Sequence, residues 1–169
     1  MARTIEVRPL TPDDDRRDFR CGQPALDRFF EHQQDPEANQ MAAFAPRNPQ
    51  DRGVFDYHWS RLLNDADTRV WTIEEDGAVA GALIVSGIDS VPELSFWTAR
   101  EYWGQGITTS AVDAFLASFT NRPIRAHVPA DNVGPQKILT RRGFAVVGED
   151  KTFSNARSEV VTELILQLG

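Results

Sequence analysis

The stretch Glu93-Leu-Ser-Phe-Trp-Thr-Ala-Arg-Glu-Tyr-Trp-Gly-Gln-Gly-Ile-Thr-Thr109 decides the fold. Leu94 to Ala99 is mostly aromatic, aliphatic and β-branched, which predicts a buried strand. Arg100 to Gly106 holds two glycines separated by one residue. From Ile107 to Thr120 the apolar residues Ile107, Ala111, Val112, Phe115, Leu116 and Phe119 recur at helical spacing and share one face. The unit is therefore a strand, a glycine loop and a helix.

The first N–H groups of a helix have no intrahelical partner, and the helix dipole places partial positive charge there. Glycines let a phosphate approach these donors, because no Cβ stands in the way. The loop is a candidate pyrophosphate cradle, with donors from Tyr102 to Thr108 and the helix start continuing through Thr109. It is not a Walker loop, since no Lys follows Gly106, and not a dinucleotide fingerprint, since Thr109 stands where the third glycine would be. The ordinary alternative is a tight strand-to-helix turn that binds nothing.

At Glu101-Tyr-Trp-Gly-Gln-Gly-Ile107 the sequence resembles motif A of the GNAT N-acetyltransferases, Gln/Arg-x-x-Gly-x-Gly/Ala, in the form typical of the ribosomal-protein N-terminal acetyltransferases. Glu101 replaces the Gln or Arg of the first motif position. The resemblance implies a cradle for the pantetheine and pyrophosphate of acetyl-CoA.

The composition suits that expectation. The 169 residues, 41% of them hydrophobic, can build a core, and their length fits one domain over 1–169. No apolar run approaches the roughly 18 residues of a membrane helix, and Met-Ala-Arg-Thr-Ile-Glu-Val-Arg lacks a signal-peptide h-region. A single cysteine, Cys21, and three scattered histidines offer no zinc pattern. A cytoplasmic, metal-free protein is expected. The net charge of −7 argues against nucleic acid as a partner and is compatible with a cationic amine substrate.

Along the chain, Ile5 and Val7 predict a strand ended by Pro9, and Thr11-Pro12-Asp13-Asp14 predicts a short helix broken at Cys21-Gly22-Gln23. Pro24 starts a helix through His32 with Leu26, Phe29 and Phe30 as its apolar face, ended or kinked at Asp35-Pro36. Residues 35 to 53 read as a long loop, with a helical turn near Glu37 to Ala43, of the kind that often forms a lid. A helix follows to Leu63. Val70 to Ile73 and Ala78 to Ile88 are strands joined by the Asp76-Gly77 turn. After the central unit come a strand at Pro123 to Val128, a helix from Asp131-Asn132 to about Arg142, and strands at Phe144 to Val147 and Glu159 to Leu168. The fold class is α/β with a mixed sheet and helices on both faces. The resemblance makes that sheet mostly antiparallel, with the strands at 93–99 and 123–128 splayed to admit the cofactor.

Asn132-Val-Gly-Pro-Gln-Lys-Ile-Leu-Thr-Arg-Arg-Gly-Phe144 resembles the GNAT motif B segment. The resemblance assigns Asn132 to the pantetheine arm; as a residue, Asn132 also suits a helix N-cap. Pro135 replaces a frequent Ser, and Leu139 stands where many members carry a tyrosine that acts as general acid. Phe30 to Phe44 is similar to the opening of small bacterial GNAT proteins, and Phe19 to Phe29 is similar to the opening of GNAT toxins that acetylate aminoacyl-tRNA.

Acetyl transfer needs a neutral amine, a polarised thioester carbonyl and a departing thiolate. A backbone N–H near Trp97, Thr98 or Ala99 can serve as the oxyanion donor. The general base should be a carboxylate or His. Glu93 is the first candidate, lying about where several GNAT enzymes carry a catalytic Glu. His127 lies on the neighbouring strand, and Glu31, His32 and Glu37 fall in the lid. Phe44, Phe55, Tyr57 and Trp59 either wall an acceptor pocket or form ordinary core, and Trp103 either covers the cofactor or seals the turn. The resemblance implies an acetyl-CoA-dependent N-acetyltransferase acting directly on a small amine or a protein N-terminus, without a membrane partner and compatible with a homodimer. The alternatives are an inactive CoA-binding regulatory domain and a tRNA-acetylating toxin.

Overall fold

The computed structural model describes residues 2–14, 16–43 and 45–169. The described residues form one seven-stranded sheet flanked by helices. Its strands are β1 (Ile5–Leu10), β2 (Thr68–Glu75), β3 (Ala78–Ser86), β4 (Glu93–Thr98), β5 (Ile124–Pro129), β6 (Ala145–Ser154) and β7 (Glu159–Leu168), in the order β1-β2-β3-β4-β5-β7-β6. The β4–β5 pair is parallel and the other neighbours in that order are antiparallel. The helices are α1 (Ala25–His32), α2 (Pro36–Ala42), α3 (Arg52–Asn64), α4 (Ile107–Ser118) and α5 (Val133–Thr140). Among the described residues, no helix is long and apolar enough to cross a membrane.

Local chemistry sets the helix starts. Asp35 and Asp51 cap α2 and α3 by accepting the N–H groups of Glu37 and Val54, both at 3.0 Å. The predicted stripe of α4 is buried at Ile107, Ala111, Val112 and Phe115, and it packs with Leu139 of α5 against Leu83, Leu94, Ile124 and Leu166 of the sheet. On the opposite face α1 and α3 bury Phe29, Phe55 and Trp59 against Val70, Val79 and Ala82. This second cluster draws its sheet residues from β1, β2 and β3, with Trp97 of β4 at its margin.

Three expectations are corrected. The described residues of 11–23 form no helix. Asp14 N–H reaches the Thr11 carbonyl, but the buried Asp18 carboxylate accepts from Arg20, Cys21 and Val79 instead, and Arg17 pairs with Pro24. That network competes with helical hydrogen bonds. Pro9 does not end the first strand, because β1 is an edge strand and can hold a residue without an N–H. The strand predicted over 144–147 runs to Ser154, because it pairs with β7 along its length. Phe44 lies outside the described residues.

Candidate active site

The β4–β5 pair holds a single rung, Glu93 opposite Arg125, locked by Arg125 N–H to the Pro92 carbonyl at 2.8 Å. Beyond it the strands part, opening a cleft toward the C-terminal end of β4. Ala99 N–H is taken by the Ala80 carbonyl at 2.8 Å, so Trp97 and Ala99 face β3. Because alternate residues of a strand point their N–H groups to opposite sides, Phe96 and Thr98 turn theirs toward the cleft. The Trp97 side chain packs on Phe29 and Trp59, with centroids 5.2 and 6.0 Å away. Phe55 and Trp59 are core, and Tyr57 is exposed on α3 under Arg61.

The glycine loop follows. Tyr102 N–H bonds to Ala99 and Trp103 N–H to Arg100 in a 3₁₀ turn over Arg100–Tyr102. Those two donors are therefore taken, and the open donors begin at Gly104. Among the described residues, no acceptor meets the N–H groups of Gly104, Gln105, Gly106, Ile107, Thr108 or Thr109. Gly104 and Gly106 have φ of +72° and +78°, and a Cβ built on either would meet nothing within 4 Å. The turn needs them for their backbone conformation, and the space above them is open to a ligand. Trp103 Nε1 donates to the Thr98 carbonyl at 2.9 Å, and the hydroxyls of Thr98 and Thr108 lie 2.9 Å apart, so the loop is tied to the end of β4.

Asn132 stands at the N-cap of α5 but makes no cap hydrogen bond. Its Nδ2 donates instead to the Met41 carbonyl at 3.2 Å. Arg157 reaches the same helix end, donating to the Gln40 carbonyl at 2.8 Å and pairing with Asp131 at 2.6 Å. Arg100 pairs with Asp35 at 2.9 Å and with Glu37. Both ends of α2 are thus anchored across the region of the cleft. A cavity of about 300 Å³ beside it is lined by Glu37, Gln40, Met41, Asp131, Arg157 and Glu159.

Glu93 and His127, separate candidates in the sequence, come together. His127 Nε2 lies 2.9 Å from Glu93 Oε1, and His127 Nδ1 lies 4.0 Å from Glu163 Oε1. Burial pushes the Glu163 carboxyl above its ordinary value; the His127 ring opposes that rise, and Asp150 and Glu93 add to it. Glu31 pairs with Arg28, and His32 turns inward with both ring nitrogens buried and unpartnered among the described residues. Leu139 is wholly buried and gives α5 no proton donor at that position. Sequence reasoning missed Glu163 and Arg157, since only strand register brings them here. Among the described residues, no cluster of His, Cys, Asp or Glu could hold a metal ion.

Comparison with known proteins agrees with this architecture. The structure resembles a ribosomal L7/L12 alpha-N-protein acetyltransferase in complex with coenzyme A, at 16% identity and TM-score 0.72 over 96% of this chain and 93% of that one. It also resembles spermidine N-acetyltransferase from Vibrio cholerae in complex with CoA and spermine, at 16% identity and TM-score 0.70 over 96% and 95%. A third likeness is to ribosomal-protein-S5-alanine acetyltransferase from Vibrio fischeri, at 17% identity and TM-score 0.66 over 97% and 92%. A search of curated proteins returned no match. The sequence profile of the acetyltransferase (GNAT) domain matches residues 4–145, most of the chain. This chain therefore belongs to the GNAT acetyltransferase family.

Proposed function

We propose that the protein is an N-acetyltransferase that moves an acetyl group from acetyl-CoA to a primary amine by direct attack within a ternary complex. The observation that carries this reading is the run of open N–H groups from Gly104 to Thr109 at the mouth of the β4–β5 cleft. Those groups suit a pyrophosphate, and the cleft suits a pantetheine arm along β4.

The residues then divide the work. Glu93, at the closed end of the cleft, takes a proton from the incoming ammonium group. The freed amine nitrogen forms a bond to the acetyl carbonyl carbon, and the carbon–sulfur bond breaks. The developing oxyanion is met by an N–H of β4 that faces the cleft, at Phe96 or Thr98. The second nitrogen proton leaves with the sulfur as the thiol. Asn132 reaches the pantetheine arm from α5.

The carboxylates of Glu93, Glu163, Glu37, Asp131 and Glu159 around this region favour a cationic acceptor. Among the similar structures are enzymes named for spermidine and for ribosomal proteins, so a small amine and a protein N-terminus are the two acceptor classes to screen. The burial of Leu139 supports one second reading, a CoA-binding module without turnover.

Calorimetry with acetyl-CoA, CoA and NADPH tests the cofactor, and thiol release with a panel of amines tests the reaction. Binding of acetyl-CoA but not NADPH, with thiol release, is expected. Binding without turnover on any amine would favour the second reading, and no binding would remove both. Replacing Gly104 and Gly106 together by Glu should abolish binding, by filling the cradle and repelling the phosphates.

A further inference from the structure

Glu93 poses a problem for a base. Its side chain is 52% exposed at the head of a strand. A carboxylate in that position samples many rotamers unless something holds it, and an unheld base loses the advantage of a fixed geometry. The nearest strand neighbour, Arg125, does not hold it: the Arg125 guanidinium donates through Nε to Gln167 Oε1 at 2.7 Å on the other side. Glu93 is therefore left to the imidazole of His127.

The backbone makes this meeting specific. Glu93 and Arg125 share the single rung of the cleft, and His127, two residues on, lies on the same face of β5. Glu163 on β7 pairs with Pro129, so it also projects from that face, one step further from β4. The three side chains lie in a row across three strands. Their exposure falls along it, from 52% at Glu93 to 29% at His127 and 12% at Glu163. Of the three, only Glu93 stands well exposed at the cleft.

We propose that His127 is a positioning residue for Glu93, its Nε2–H holding Oε1 so that Oε2 is presented to the acceptor amine. This rests on the acetyltransferase reading for the identity of the base, but the 2.9 Å contact between His127 and Glu93 does not. The row is not a nucleophilic triad, since none of its members forms a bond to the acetyl group. The imidazole takes no part in the proton transfer; it restricts where the carboxylate sits when that transfer occurs.

Nitrogen-15 NMR of the His-labelled protein tests the pairing without any substrate. A hydrogen on Nε2 of His127 is expected, with a shift that moves in Glu93→Gln. Nε2 without hydrogen, or a shift indifferent to Glu93→Gln, would overturn the proposal. Kinetics with acetyl-CoA and an amine accepted by the wild type adds the functional arm. His127→Ala should lower kcat about tenfold or more, less than the ~10²–10⁴-fold expected when Glu93 itself becomes Gln. KM for acetyl-CoA should not change, and His127→Gln, which keeps an N–H donor, should recover part of the loss. Unchanged kcat in His127→Ala would also overturn it. A wild type that acetylates no amine counts instead against the acetyltransferase reading, and the NMR result still decides whether His127 holds Glu93.

Discussion

The indole N–H of Trp103 donates to the carbonyl oxygen of Thr98 at 2.9 Å, joining the glycine loop to the last residue of β4. Thr98 ends the strand that borders the cleft, and Trp103 precedes Gly104, where the open N–H groups begin. The bond therefore sets the loop against the cleft wall.

Trp103→Phe removes that bond while keeping an aromatic ring over the turn. A lost hydrogen bond of about 1 kcal/mol corresponds to roughly fivefold weaker acetyl-CoA binding. Isothermal calorimetry should show this loss with little change in melting temperature. Equal affinity in the variant would mean that the indole only fills space.

Glycine substitutions separate backbone strain from close approach. At Gly104 or Gly106 an alanine meets open space but must adopt positive φ, a cost of about 1–2 kcal/mol. At Gly81 a Cβ would lie 2.0 Å from the Trp97 carbonyl oxygen and 2.8 Å from Thr98 Cα, so β3 and β4 would have to separate. Gly81→Ala should lower stability by roughly 3 kcal/mol or more. Thermal unfolding of the three variants should rank Gly81→Ala far below the others.

His32 makes stability depend on pH. Burial, with Arg28 adding to it and Asp18 opposing, pushes its pKa down to about 4 in the folded chain. The unfolded chain takes up this proton near pH 6.5 and the folded chain does not, so stability falls as pH drops from about 6.5 toward 4. The loss should reach about 1–2 kcal/mol by pH 5. His58 shifts in the same direction, through burial and Arg61. Urea unfolding at pH 7.5 and pH 5 should show the loss in the wild type and a smaller one in His32→Leu.

Asp18 acts in a lower window. Burial raises its pKa, but the N–H groups of Val79, Cys21 and Arg20, with the charge of Arg28, outweigh that and hold it below the ordinary value. The stabilisation is present above the unfolded pKa of about 3.9 and is lost as pH falls through the folded value. Asp18→Ala leaves three N–H groups without their acceptor and should cost about 2–4 kcal/mol at neutral pH. Denaturant midpoints at pH 7 would measure it, and a change under 1 kcal/mol would contradict the accounting.

Elements held by short-range interactions are legible in the amino-acid sequence. The strand, glycine loop and helix over 93–118 rest on interactions within one or two turns of chain, and the apolar period displays them directly. The helices α1 and α3 and the Asp76-Gly77 turn share that local origin. The loop at 11–23 does not, because the partner that denies it a helix, Val79, lies 61 residues away. Of the loop donors expected from Tyr102 to Thr108, the first two are taken by the 3₁₀ turn, so the open ones begin only at Gly104.

By itself the sequence determined the order of the strands and of the helices from Pro24 onward, a cradle candidate with donors from Tyr102 to Thr108, and Glu93 and His127 as separate ionisable groups beside a cleft. Only the tertiary structure decided that these two groups meet, that Glu163 stands behind them, and that Asn132 reaches the Met41 carbonyl on α2 instead of capping its own helix. The reason is physical. Periodicity records which face a residue occupies within its own element, whereas a contact across β4, β5 and β7 depends on strand order and register, and shifting any strand by one residue would turn its side chain to the other face.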